Sequence, residues 1–129
     1  MTTGYATTLR NAQLDAITTA VGNAGKLRIY DGTRPSTGGA ATTLLAEFTL
    51  GTPFSGAAAA AVLSPTLPAD TTGVAAGTAT WFRITTSGGS AVIDGSVGTS
   101  GADLILNTTT ISIGVAVSVT GFTITRGNP

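Results

Sequence analysis

The chain has 129 residues, a length that supports one domain with a single core and excludes two. Lys+Arg and Asp+Glu number 6 each, for a formal net charge of +0, so the basic excess of a nucleic-acid binder is missing. There is no Cys and no His, which removes disulfides, thiolate metal sites and imidazole-based catalysis.

The first ordered element is a helix. Leu9, Ala12, Gln13, Leu14, Ile17, Ala20 and Val21 recur at three- and four-residue steps and collect on one stripe, which predicts a helix over residues 8–21. Thr7 or Thr8 supplies its N-cap, Gly22 with Gly25 its stop, and Arg10, Asn11, Asp15 and Thr18 its opposite, polar side. Residues 1–7 ahead of it read as a flexible arm.

Beyond the helix the period becomes two. Leu27-Arg28-Ile29-Tyr30 is a strand ended by Asp31-Gly32, and the Pro and Gly residues of 33–39 form a loop. Residues 43–50 make a second strand, stopped by Gly51-Thr52-Pro53. The alanine-rich stretch 57–63 leaves barely two turns for a helix between Gly56 and Ser64-Pro65, and reads as an extended segment ending in Val62 and Leu63. Residues 65–77 are a loop with a short strand or turn near 69–74. Residues 78–86 form a strand with Ala79, Trp81, Arg83 and Thr85 on one face and Thr80, Phe82 and Ile84 on the other, and Ser87-Gly88-Gly89-Ser90 turns it into a return strand over 91–97.

The last third offers Leu104-Ile105-Leu106, then 109–113, then a long alternating run over 115–125, all rich in β-branched residues. Short strands at roughly ten-residue spacing predict a mainly β fold, an antiparallel β-sandwich or jelly-roll-like barrel with one N-terminal α-helix, as a single domain over 1–129.

The search for chemistry is short. Paired-carboxylate catalysis would need two of Asp15, Asp31, Glu47, Asp70, Asp94 and Asp103 to meet in a cleft. Asp94 and Asp103 could approach if the loop 95–101 folds back, although Asp94 ahead of Gly95 and Asp103 after Gly101 also suit the ends of turns. The run Gly95-Ser96-Val97-Gly98-Thr99-Ser100-Gly101 lacks the Lys of a phosphate-binding loop and no helical pattern follows it. No EF-hand spacing is present. The sequence therefore predicts no enzyme, no cofactor and no metal. Arg28, Arg34, Arg83 and Arg126 read either as edge charges or as inter-subunit anchors, and Trp81 either as core or as an interface residue.

With charged residues at 9%, the surface falls to Thr, Ser, Ala and Gly, which lose little side-chain entropy on contact, and zero net charge removes long-range repulsion. Both favour assembly. The N-terminus shows no basic region followed by an apolar core, and no apolar run approaches the roughly 20 residues of a membrane span, so synthesis and folding in the cytoplasm are expected, with no membrane partner.

Four stretches carry a resemblance: Leu27-Arg28-Ile29-Tyr30-Asp31-Gly32-Thr33-Arg34-Pro35, Leu63-Ser64-Pro65-Thr66-Leu67-Pro68-Ala69-Asp70, Gly77-Thr78-Ala79-Thr80-Trp81-Phe82-Arg83-Ile84, and the run from Gly95 through Asp103-Leu104. With the helix motif Asn11-Ala12-Gln13-Leu14-Asp15-Ala16 they resemble, over nearly the whole chain, small virion proteins of tailed bacteriophages. The resemblance implies a non-catalytic structural part of the particle. Its most specific form is a capsid decoration, or cement, protein, a homo-oligomer (trimer favoured) bound to the major capsid protein on the capsid exterior. A tail or neck (connector) subunit is the alternative. The contacts expected are Thr2, Thr3 and Tyr5 in the arm, Arg34 and Pro35 in the first loop, and Pro65 and Pro68 in the later one.

Overall fold

The structure, a computed structural model, describes residues 3–126. One helix, α1 (Thr7–Val21), precedes twelve short strands: β1 (Lys26–Tyr30), β2 (Leu44–Thr49), β3 (Val62–Leu63), β4 (Thr71–Thr72), β5 (Gly77–Thr78), β6 (Trp81–Thr85), β7 (Ala91–Gly98), β8 (Leu104–Leu106), β9 (Thr110–Ile111), β10 (Ala116–Val117), β11 (Val119–Phe122) and β12 (Ile124–Thr125). Six of them form the main sheet in the order β11-β8-β7-β6-β1-β2, and two-stranded pairs β10-β4, β12-β3 and β5-β9 complete a mainly β, sandwich- or barrel-like fold.

The alternating strand residues create the core. Leu27 and Ile29 on β1, Phe48 on β2 and Phe82 and Ile84 on β6 all point to one face, where Leu14 and Val21 of the helix, Phe54, Leu63, Leu104, Leu106, Ile111 and Val117 join them in one cluster. Burying side chains of this size contributes about 1.5–3 kcal/mol each, the main return against chain entropy.

The helix obeys the predicted period but is rotated from the expected stripe. Leu14, Ile17 and Val21 meet the core, whereas Leu9 is 47% exposed. The side expected to be polar is the one that docks. Asn11 Oδ1 accepts the Ala61 N–H at 2.9 Å and Asp15 Oδ1 accepts the Ala58 N–H at 2.7 Å. Those amides belong to a turn in which Ala59 and Val62 exchange backbone hydrogen bonds (3.0 and 2.9 Å) across Ala60 and Ala61, both at positive φ (50° and 60°). A type I′ turn demands that geometry and usually recruits Asn and Gly. Here the helix supplies the acceptors that hold alanines in it. Its N-cap is Ala6, with no side-chain cap, in place of Thr7 or Thr8, while Gly22 ends it at φ 71° as expected.

The last strand assignment changes. The run 115–125 is not one strand but three, and β10, β11 and β12 pair with β4, β8 and β3 in turn. The breaks fall at Ser118 and Thr123, and β11 itself carries a register shift between Val119 and Gly121. Asp94 and Gly95, which also suited the end of a turn, lie inside β7, within the return strand expected over 91–97. The sheet is also mixed. β7 and β8 run parallel, with Val97 opposite Leu104 and Gly98 opposite Ile105. Parallel neighbours ordinarily need a crossover of a dozen residues or more. Here a short coil replaces it, and it is no loose connection: Ser96 N–H and Oγ both donate to Asp103 Oδ2 (3.0 and 3.1 Å), and Asp103 N–H donates back to Ser96 Oγ at 3.1 Å.

Candidate functional site

The charged side chains of the sheet line up on its outer face. Register places Glu47 of β2, Arg28 of β1, Arg83 of β6 and Asp94 of β7 in one row across four strands. Each arginine takes the carboxylate beside it. Arg28 Nε meets Glu47 Oε2 at 2.8 Å in a half-exposed pair, and Arg83 Nε meets Asp94 Oδ1 at 2.8 Å with Nη2 reaching Oδ2 at 3.0 Å. The second pair is buried: 10% of the Arg83 side chain and 1% of the Asp94 side chain remain exposed. Burial pushes the Asp94 carboxyl up. The Arg83 hydrogen bonds, the Gly38 N–H and the charges of Arg83 and Arg34 together outweigh this and hold it below the usual carboxylate range. The hydrogen bonds that Arg83 donates to Asp94 raise the Arg83 pKa against the opposing effect of burial.

What covers this pair is the loop between β1 and β2. Arg83 Nη2 donates to Gly39 O at 2.8 Å, and Gly38 N–H donates to Asp94 Oδ2 at 3.0 Å. Trp81, one step along β6, stacks on Tyr30 with ring centroids 4.4 Å apart, and the Arg83 guanidinium lies 5.1 Å from the tryptophan ring centre. The Trp81 indole N–H donates to Asp31 O and Thr42 Oγ1, both at 3.0 Å, and Asp31 Oδ1 accepts the Thr43 N–H at 3.0 Å. The loop is therefore latched at both ends and in its middle. Trp81 is buried, but under this loop and on the face opposite Phe82. Arg83 is neither edge charge nor exposed anchor, because β6 lies inside the sheet between β1 and β7.

Asp94 and Asp103 do border a common pocket, of about 190 Å³, together with Phe82, Phe122 and Thr123. Its acids are already engaged, Asp94 by Arg83 and Gly38 and Asp103 by Ser96. Among the described residues no group of three or more acids could hold a metal, and no helix is long and apolar enough to cross a membrane.

The expected contact residues fall on three separate segments. Thr2 lies outside the described residues. Thr3 is exposed, while Tyr5 is half-buried with the Arg126 guanidinium 5.6 Å from its ring, so this part of the arm packs against the end of the fold. Arg34 is exposed and Pro35 half-buried in the latched loop. Pro68 is half-buried, but Pro65, expected at the surface, is buried and bridges to Ser55. The extended pairing of 55 with 65 draws that proline under the chain.

An exposed apolar group went unforeseen. Ile113 is 72% exposed, Val74 57% and Val115 50%. Ile113 and Val115 lie in a turn, Ser112-Ile113-Gly114-Val115, closed by Val115 N–H donating to Ser112 O at 3.2 Å, with Gly114 at the positive φ of 77°, and Val74 follows the Gly73 that bridges to Ile113. Gly73 is wedged against it, donating to Val115 O and accepting from Gly114 N–H, both at 3.0 Å. A Cβ on Gly73 would lie 2.3 Å from Ser112 O, so only glycine admits this approach. Period-two alternation placed Ile113 in a strand. The Ile-Gly-Val sequence was the available sign of a turn.

No family model matches the chain, and no curated protein or solved structure shows a significant similarity to it.

Proposed function

We propose that this chain is a non-catalytic structural subunit of a tailed-phage particle, and most specifically a cement protein. It binds the major capsid protein on the outer shell as a homo-oligomer, with a trimer the form best suited to three-fold capsomer junctions. The observation that carries this reading is how the acids are used. Asp15, Asp31, Glu47, Asp94 and Asp103 each accept bonds from this chain's own backbone or side chains and fasten the helix, the latched loop and the β7–β8 coil. Carboxylates so engaged serve architecture. The surface left over is largely uncharged and short-chained, which suits packing against a repeating lattice where many weak copies act together.

Cryo-electron microscopy of the intact particle tests it. Density for this chain on the outer capsid at three-fold sites is expected. Density confined to the tail or neck would overturn the cement assignment, and a particle lacking the chain would overturn the virion reading itself.

A further inference from the structure

We infer that the pocket bordered by β7 and residues 122–125 is a binding site for an alkylammonium group, and specifically for a lysine side chain presented by a partner protein. The inference goes beyond the structural reading above and does not depend on where in a particle the chain sits.

The pocket is graded from a dry floor to a wet rim. Phe82 and Gly95 at its floor are buried, Ile93, Phe122 and Ile124 along its walls are half-buried, and Asp103 and Thr123 at its rim are exposed. Phe122 stands edge-on to Phe82 with ring centroids 5.5 Å apart, so wall and floor hold each other in place. Glycine at 95 lets the Phe82 ring and the Asp103 carboxylate close on the same spot. A Cβ there would lie 2.5 Å from the ring and 3.1 Å from Asp103 Oδ2. At about 190 Å³ the space falls below the roughly 300–1,000 Å³ of sites that enclose drug-sized ligands, and it suits a single side chain.

The charge at the rim selects the occupant. Asp103 gives Oδ2 to the Ser96 N–H and Oγ, while its Oδ1 accepts no bond among the described residues. No described base pairs with it either. Arg83 is taken by Asp94 on the opposite face of the sheet, and Arg126, which follows the β12 wall, is turned to Gln13 Oε1 at 3.1 Å and to the Tyr5 ring. An uncompensated carboxylate thus stands over an apolar wall. Its complement is a methylene stem carrying a positive head. An arginine fork would take both carboxylate oxygens, one of which Ser96 already holds. The free oxygen and the Thr123 hydroxyl, which forms no bond among the described residues, suit instead the compact three-donor head of lysine. Lying across the walls with its head at the exposed rim, the ammonium keeps part of its hydration, so little desolvation opposes binding.

Amide chemical shifts of the isotope-labelled full chain, followed at neutral pH during titration with n-pentylamine, n-pentanol and Nα-acetyl-lysine methylamide, test the inference. Saturable shifts confined to Gly95, Asp103 and residues 122–125 are expected with the amine and with the lysine derivative. Binding should be at least about tenfold weaker for pentanol, and for pentylamine on Asp103→Asn, the loss of one charge-assisted hydrogen bond. Asparagine keeps an oxygen for Ser96, and unchanged shifts elsewhere verify that the variant is folded. The pentanol comparison on the wild type decides the role of charge without any variant. Absence of localised shifts would overturn the site. Pentanol binding as tightly as pentylamine, or a folded Asp103→Asn that binds pentylamine unchanged, would overturn the ammonium specificity. Binding of pentylamine without the lysine derivative would overturn the partner lysine in favour of a free amine.

Discussion

Asp94→Ala is the most informative single change in the sheet. The substitution removes three accepted hydrogen bonds, from Arg83 Nε at 2.8 Å, Arg83 Nη2 at 3.0 Å and Gly38 N–H at 3.0 Å. It leaves a guanidinium whose side chain is 10% exposed without its counter-charge. Stranding one member of a buried pair costs about 3–5 kcal/mol. Arg83 keeps Gly39 O and the Trp81 ring, so the loss belongs near 3 kcal/mol, a large share of the roughly 5–15 kcal/mol that holds a domain folded. Urea unfolding followed by fluorescence reports it directly, because Trp81 is the one tryptophan and lies under the same loop. Replacing both partners, Arg83→Met with Asp94→Leu, should recover most of the loss. A drop below about 1 kcal/mol for Asp94→Ala would mean that the pair behaves like a solvated surface contact, and the latch argument would fall. Acid gives an independent check. The folded carboxyl titrates below its unfolded value of about 3.9, so its contribution is full above that pH and fades as pH falls through the folded pKa. Asp94→Asn should lose less stability than the wild type over that interval.

Three other experiments probe the remaining joints. The Arg28–Glu47 pair keeps 31% and 35% of its side chains exposed, so a double-mutant cycle with Arg28→Met and Glu47→Gln should give less than about 1 kcal/mol, weakening further in high salt. Gly73→Ala forces a methyl to within 2.3 Å of Ser112 O and 2.8 Å of Ile111 Cγ2, and thermal unfolding should show a loss of about 1–3 kcal/mol. Ala60→Gly relieves an alanine at φ 50° on an exposed turn, and the same assay should show a gain of up to about 1 kcal/mol.

Periodicity made the helix, the paired strands β1 and β2, and the β6–β7 hairpin legible, because each sets a regular row of apolar residues toward the core. It failed where tertiary partners override the local pattern. The alternation of 115–125 is unbroken in sequence, yet three different neighbours divide it, and no local signal names a pairing partner. The helix was rotated for a similar reason. Asn11 and Asp15 look solvent-facing by type but are drawn inward by the unpaired amides of a distant alanine turn. Arg83 and Trp81 were noticed as residues. Their joint role was hidden, since it depends on a loop some 39 to 44 positions away folding back over β6.

The scarcity of charge has a consequence outside the cell, where digestive proteases of the trypsin type cut after Lys or Arg. Between Pro35 and Phe82, and again between Ile84 and Thr125, no such residue occurs, so the long loops that a protease would enter first contain nothing it can cut. Arg10 lies in α1, Lys26 and Arg28 in β1 and Arg83 in β6. The one basic residue in the loop between β1 and β2, exposed Arg34, is followed by Pro35, a bond such enzymes refuse. Arg126 follows β12, so scission there would leave every strand in place. Apart from Arg126, the folded chain thus offers trypsin-like enzymes no ready point of entry, and any other cut must wait for the sheet or the helix to open.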